Sequence, residues 1–351
     1  MTIQELSLSN FMLFSELNTS FSPNINIISG ENSSGKTALL KLLYAGTKSL
    51  EKLCSGKDEP TKKLMETLLA QKLQGVFRPN KNTLGRLVKR KQGKNRCSVS
   101  IRFDDALSFG FSSAAEKNLE LENWSCVKSP AAAVYLPPKE IISATENFVS
   151  LYDDYHIAFE EVYYDLARLL ERPLKKGKKP DAQQAALDRL SILINGSVTQ
   201  RDRSFFLKME NEGEFEMGLV SEGYRKLATL MYLISTGSLN ENSILFWDEP
   251  ETNMNPKMIQ PLAEAVMALS DMGVQIFITT HDYFVQQAFN LPAVYGEGEG
   301  KPDIRFFSLF KDGDSVSLET AHTLGDLQHN AVMEEFDALY DREQRWIYGD
   351  Q

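Results

Sequence analysis

The sequence predicts an α/β fold, a mainly parallel core sheet flanked by helices, and three stretches carry that prediction. Gly30-Glu31-Asn32-Ser33-Ser34-Gly35-Lys36-Thr37 follows the run Ile25-Asn26-Ile27-Ile28 and precedes leucines at helical spacing in TALLKLLYA. An apolar run at 244–247 ends in Asp248-Glu249, and another at 274–278 ends in Thr279-Thr280-His281-Asp282. Short apolar runs closed by polar residues are the pattern of buried parallel strands, and ligands bind outside the carboxyl ends of such strands.

The first element is a strand, a glycine-framed loop and a helix. Glycines at Gly30 and Gly35 let consecutive backbone N–H groups point inward around a phosphate at the N-terminus of the following helix. Within that pattern Lys36 would reach the β- and γ-phosphates of ATP, and Thr37 would bind Mg²⁺. An ordinary glycine turn is the competing reading, and the strand before it and helix after it argue against one. In the second element Asp248 ends a buried strand, where a carboxylate can orient Mg²⁺ and its waters. Glu249 beside it can polarise an attacking water; the alternative is an acidic helix cap with Pro250 opening the helix. Upstream lies GLVSEGYRKLATL at 218–230, a Ser-Glu-Gly turn heading a helix, in which Ser221 and Gly223 serve a nucleotide or Ser221 is a plain N-cap. After the third strand His281 stands where it would contact a γ-phosphate or the attacking water, although a lone histidine is commonly just a satisfied polar residue.

With 351 residues, 42% of them hydrophobic, the chain can bury one large core or two smaller ones. A formal charge of -10 argues against indiscriminate binding to nucleic acid or membrane surfaces. Cys54, Cys97 and Cys126 form no CxxC pair and are odd in number, so neither a disulfide framework nor a zinc site is expected. The N-terminus lacks the pattern of a signal peptide, no run approaches the length of a membrane span, and a reducing cytoplasm is the expected location.

The chain resembles the ABC-type ATPases of the RecF, SMC and OLD (overcoming lysogenization defect) group, and most closely the compact bacterial ATPases of phage-defence operons. The residues that carry this are LSNFMLF, NINIISGENSSGKTALL, VYLPPKEIIS, LVSEGYRKLATL, LFWDEPETNMNP and ITTHD. The resemblance implies a single ABC-type ATPase domain over 1–351. It places Gly30, Asn32, Ser33, Ser34, Gly35, Lys36 and Thr37 on ATP, Thr37 and Asp248 on Mg²⁺, and Glu249, His281 and Lys36 in catalysis. Ser221 and Gly223 would act in trans on a second copy's nucleotide, giving a homodimer or higher homo-oligomer closed by an ATP sandwich, and residues 253–256 would form the D-loop. Three departures stand out: Ser33 occupies a common glycine position, Glu222 replaces the first of the paired glycines of transporter signatures, and YLPPKE at 135–140 lacks the glutamine of a Q-loop.

The core is expected at 1–45 and 217–309. Residues 46–130 read as an insertion with helical character and then a small antiparallel sheet, from the alternation in CSVSIRFDD and LSFGFSS. Residues 145–215 read as a mainly helical insertion, since YHIAFEEVYYDLARLLERP places its large side chains at steps of three and four. KDGDSVSLE reads as a hairpin turning at Gly313. No heptad pattern persists, so no SMC-type coiled coil is expected, and no acidic cluster of an appended Toprim nuclease is found. Any cleavage of nucleic acid would fall to a separate effector protein. Two basic stretches remain: 77–96, with eight Lys or Arg and no Asp or Glu, and 172–180, with five in nine. Either could follow a DNA or RNA backbone, or be a solvated surface. By analogy the chain is a sensor ATPase of a defence system; the competing readings are a DNA-repair ATPase, an ATP-bound scaffold with little turnover and, last, a transporter subunit.

Overall fold

The structure, a computed structural model, describes residues 1–126, 129–155, 157–296 and 303–348. The helical stretch read from Tyr155 includes residue 156, the first insertion includes 127–128 and the expected single domain includes 297–302 and 349–351; these lie outside the described residues.

In chain order the elements are β1 (Glu5–Phe11), β2 (Phe14–Ser20), β3 (Ile25–Gly30), α1 (Lys36–Cys54), α2 (Lys62–Phe77), β4 (Arg96–Arg102), β5 (Ala106–Ser112), β6 (Glu120–Asn123), β7 (Ala132–Leu136), α3 (Phe148–Tyr155), α4 (Glu161–Leu170), α5 (Asp181–Ile194), β8 (Gly196–Arg201), β9 (Ser204–Met209), β10 (Gly213–Glu216), α6 (Glu222–Ser235), β11 (Ser243–Asp248), α7 (Ile259–Asp271), β12 (Gln275–Thr279), α8 (Tyr283–Tyr295), β13 (Ile304–Asp312), β14 (Ser315–Ala321) and α9 (Ala331–Tyr348). The central sheet has the order β14-β13-β3-β12-β11-β7. Its strands are parallel except for β14, which returns from β13 through a hairpin turning at Gly313.

Every residue of β3, β11 and β12 is buried, which accounts for their largely apolar sequences. Successive side chains feed two different cores. Leu245 and Trp247 of β11, with Val134 and Leu136 of β7, pack into a core shared with α4 to α8. Ile244 and Phe246, with Ala133 and Tyr135, pack into a second core shared with α1 and α2. The antiparallel sheet β2-β1-β4-β5-β6 covers that second core, so the expected small sheet incorporates the N-terminal hairpin as well. Between the two sheets α1 buries most of its residues, including the polar Lys36, Lys41, Thr47 and Ser49.

Residues 145–215 hold α3, α4 and α5 and then the antiparallel meander β8-β9-β10, which helical periodicity does not disclose. The cysteine expectation is corrected. Cys54, at the end of α1, is bonded to Cys126, before β7, with Cα atoms 5.7 Å apart, and the odd cysteine is the buried Cys97. An odd count leaves one thiol over without forbidding a bridge between the other two. Among the described residues no helix is long and apolar enough to cross a membrane.

Candidate active site

β3 delivers the chain to the loop at 30–37 and α1 carries it away. Gly30 has φ 145° and Gly35 φ 97°, and a Cβ would meet the Leu309 carbonyl oxygen at the first and the Phe14 ring at the second. Both positions therefore require glycine. Ser33 also adopts a left-handed backbone, at φ 63°, so the glycine missing there is replaced at a conformational cost of about 1 kcal/mol. Lys36 is buried, and its Nζ donates to the carbonyls of Gly30 at 2.8 Å and Glu31 at 2.9 Å. Burial lowers its pKa, opposed by the carboxylates of Glu249, Asp248 and Glu251. Ser34 Oγ is buried without a hydrogen-bond partner in the same loop. Asn32 to Ala38 line an open cavity of about 430 Å³ together with Met12, Leu13, Lys41, Phe77 and Glu249.

β11 ends beside this loop. Asp248 is 1% exposed, and its carboxylate accepts hydrogen bonds from Thr37 Oγ1 at 2.9 Å, Thr279 Oγ1 at 2.5 Å and Tyr135 Oη at 3.0 Å. The parallel register accounts for one of these, since Asp248 lies opposite Thr279. Tyr135 reaches Asp248 from β7, and its hydroxyl pKa is raised well above the ordinary value by burial and by Asp248.

Glu249 leaves the strand with φ 45°, its N–H donating to the Thr279 carbonyl at 3.1 Å, and its side chain lines the cavity. His281 Nδ1 lies 3.2 Å from Glu249 Oε1 and 3.7 Å from Glu251 Oε1. Tyr135, Thr279 and Glu251 are members of this cluster that motif spacing did not single out.

Ser221 and Gly223 are not among the residues lining the cavity. Ser221 occupies the N-cap position of α6 in an extended conformation and is exposed, and its side chain makes no capping hydrogen bond. Gly223 packs against Met254 and Met258 of the segment following Glu249. One turn on, the buried Lys226 Nζ donates to the carbonyls of Pro250 at 2.8 Å and Thr252 at 2.6 Å, tying α6 to the end of β11. Burial lowers the Lys226 pKa, countered by nearby carboxylates led by Glu222. Glu140, from YLPPKE, accepts a hydrogen bond from Arg225 at 2.5 Å, so this segment braces α6.

The basic stretch at 77–96 needs one correction. Lys89 is buried and its Nζ donates to the carbonyls of Leu13 at 2.5 Å and Asp314 at 2.6 Å, which removes it from any phosphate-facing surface. Arg96 is paired with Glu120 and Glu122. Arg78, Lys81, Arg86, Arg90, Lys91 and Lys94 are exposed.

A glycine-framed amide loop, a buried lysine and a strand-end carboxylate bonded to the loop threonine form one cluster on a mainly parallel sheet. They define a P-loop ATPase of the ABC type, in its RecF- and SMC-like branch. The chain belongs to the family described as "AAA domain, putative AbiEii toxin, Type IV TA system", whose model matches residues 84–285. A second AAA-domain model matches residues 5–122. Among curated relatives, the DNA replication and repair protein RecF of Idiomarina loihiensis is 57% identical over 44 residues, 12% of each chain. RecF of Limosilactobacillus fermentum is 49% identical over 51 residues, 14% of each chain. The Nod factor export ATP-binding protein I of Burkholderia orbicola is 31% identical over 86 residues, 24% of this chain and 26% of the exporter subunit. The matches therefore span a small fraction of each relative's length. An Smc head bound to the C-winged helix domain of ScpA superposes with a TM-score of 0.56 at 13% identity, covering 92% of this chain and 98% of the other. An Smc head with an extended coiled coil, bound to the C-terminal domain of ScpA derived from Pyrococcus furiosus, gives 0.51 at 11% identity, covering 97% and 99%. These likenesses show the fold.

Proposed function

We propose that the chain hydrolyses ATP with Mg²⁺ and works as a nucleotide-gated dimerising switch. In this reading it is the sensor ATPase of a bacterial anti-phage system and controls a separate effector protein. The observation that carries the reading is the shared geometry of Thr37, Asp248, Glu249 and His281 beside one glycine-framed loop, with Ser221 held apart on α6.

The residues fit the ligand. The donor set of Thr37 hydroxyl and Asp248 carboxylate is all oxygen, as Mg²⁺ requires, and the unpartnered Ser34 Oγ and the glycine-framed backbone suit phosphate oxygens. Bound there, Mg²⁺ would neutralise charge between the phosphates. Lys36 would exchange its two carbonyl partners for phosphate oxygens, gaining a charge-assisted interaction that its burial strengthens. Glu249 would accept a hydrogen bond from the attacking water at Oε1, and His281 would hold that carboxylate in place through Nδ1. Ser221 of the partner subunit would cover the cavity and exclude bulk water. Nucleotide binding energy would thus be spent on joining two copies, and hydrolysis would part them.

Lys36→Ala should abolish turnover. Glu249→Gln should lower it at least about a hundredfold while retaining or tightening an ATP-dependent dimer, read by light scattering on a sizing column. Unchanged turnover in Lys36→Ala sinks the site. A wild type inert towards ATP, with and without DNA, leaves the scaffold reading. RecF identity over the matched segment favours one second reading, a DNA-repair ATPase. It predicts turnover stimulated by DNA without any effector protein.

A further inference from the structure

Glu251 is a charged side chain that the proposed chemistry does not use, and it is buried at the edge of the active site. Its side chain is 7% exposed. Oε1 accepts hydrogen bonds from Thr280 Oγ1 at 2.7 Å and from the His281 backbone N–H at 3.2 Å, and lies 3.7 Å from His281 Nδ1. Oε2 has no hydrogen-bond partner. Burying a carboxylate oxygen in that condition is unfavourable. Burial accordingly raises the Glu251 pKa, opposed by its hydrogen bonds and by His281. A glutamine or a threonine would satisfy the same backbone donor more cheaply, so the carboxylate needs a reason beyond local folding.

His281 supplies it. We propose that Glu251 is the positioning residue of His281: it fixes the Thr280–His281 peptide from below and, with Glu249, presents a carboxylate oxygen on the Nδ1 side of the imidazole. The Oε1 atoms of Glu249 at 3.2 Å and of Glu251 at 3.7 Å put carboxylate charge on the Nδ1 side of the ring, and the Glu251 contact to the His281 N–H fixes the backbone that carries it, so both the position and the facing of the imidazole depend on Glu251. The turn that makes this possible is local. The left-handed residue Glu249 directs its own side chain into the cavity, and Pro250 then carries Glu251 back beneath the end of β12, where Thr280 and His281 emerge. Lys226 holds the same turn from the other side through the carbonyls of Pro250 and Thr252, so the placement of His281 is linked to α6, which carries Ser221.

This inference deepens the proposed function and rests on it for its kinetic consequence, whereas the placement of the ring can be read without turnover. The chain has four histidines, so side-chain imidazole resonances of the labelled protein can be assigned with His281→Asn. Glu251→Gln, which keeps an oxygen acceptor for Thr280 and the His281 N–H but removes the charge, should shift the His281 ring nitrogens and leave the other histidines in place. It should also lower kcat about tenfold or more, as misplacement of a reacting-site group does, with KM and the affinity for a non-hydrolysable MgATP analogue changed less than about twofold. Glu251→Asp, which keeps the charge on a shorter arm, should recover part of kcat. Unmoved His281 resonances in Glu251→Gln overturn the proposal, as does kcat equal to wild type, or kcat and nucleotide affinity falling together in both variants. A wild type without turnover would remove the proposed function yet leave the resonance comparison to decide the role of Glu251.

Discussion

Tyr135 shows what a single residue can hide in a sequence. The run AAAVYL contributes to the site only because β7 pairs in parallel with β11, placing Tyr135 opposite Phe246 and its hydroxyl against Asp248. That contact crosses a sheet, and no local spacing encodes it; the glycines, Lys36 and Thr37, by contrast, are legible because phosphate binding dictates consecutive residues. Cys97 is the clearest residue whose environment can be titrated. Burial pushes its thiol up to about 12 from 9.0. The fold favours the neutral form, so this contribution to stability is complete below pH 9.0 and is lost as pH rises towards about 12. Two outcomes are expected: the denaturant midpoint should fall across that window by less in Cys97→Ala than in the parent, and Cys97 should resist alkylation at pH 8.5, by mass spectrometry, until the chain is unfolded. Rapid labelling of native Cys97 would contradict its burial.

At the scale of elements, α4 is held to α1 and α2 by charge. Lys72 of α2 bonds Glu161 at 2.5 Å and Asp165 at 2.8 Å, Tyr44 of α1 donates to Asp165 at 2.6 Å, and Lys41, which also lines the cavity, bonds Glu160 at 2.7 Å. Removing the cation strands two half-buried carboxylates. Lys72→Met should cost about 3 kcal/mol in urea unfolding, against under about 0.5 kcal/mol for Lys81→Met on the surface. Equal effects would mean that the contact is no stronger than a solvated ion pair. None of this pairing was visible in the helical periodicity of α4, which shows only which face is apolar. The meander β8-β9-β10 escaped for a different reason. Its first turn has Asp202 at φ 49° and Arg203 at φ 67°, the conformation that asparagine and glycine usually announce, so the hairpin carries no turn signal. The strands β3, β11 and β12 were legible because burial on both faces favours a largely apolar run, and the hairpin at Gly313 because its turn chemistry is the ordinary one.

At the scale of the whole molecule, the decisive question is whether one copy holds a complete site. Lys36 lines the cavity and Ser221 does not, yet α6 is braced to the end of β11 through Lys226 and to the segment after β7 through Arg225–Glu140. An element that leaves Ser221 outside the lining of its own cavity can still deliver it to another copy's. With a two-fold axis, a heterodimer of Lys36→Ala and Ser221→Arg contains one site in which both defects meet and one in which neither occurs. Each variant alone should therefore be inactive, while an equimolar mixture that exchanges subunits should recover about a quarter of wild-type turnover, since half the dimers are mixed and each has one intact site. Recovery should depend on total protein concentration and improve with moderate salt, because each copy carries a formal charge of -10 and like copies repel. If Ser221 served its own copy's nucleotide, every P-loop in the mixture would still be paired with a defect in its own chain, and mixing would recover nothing at any concentration.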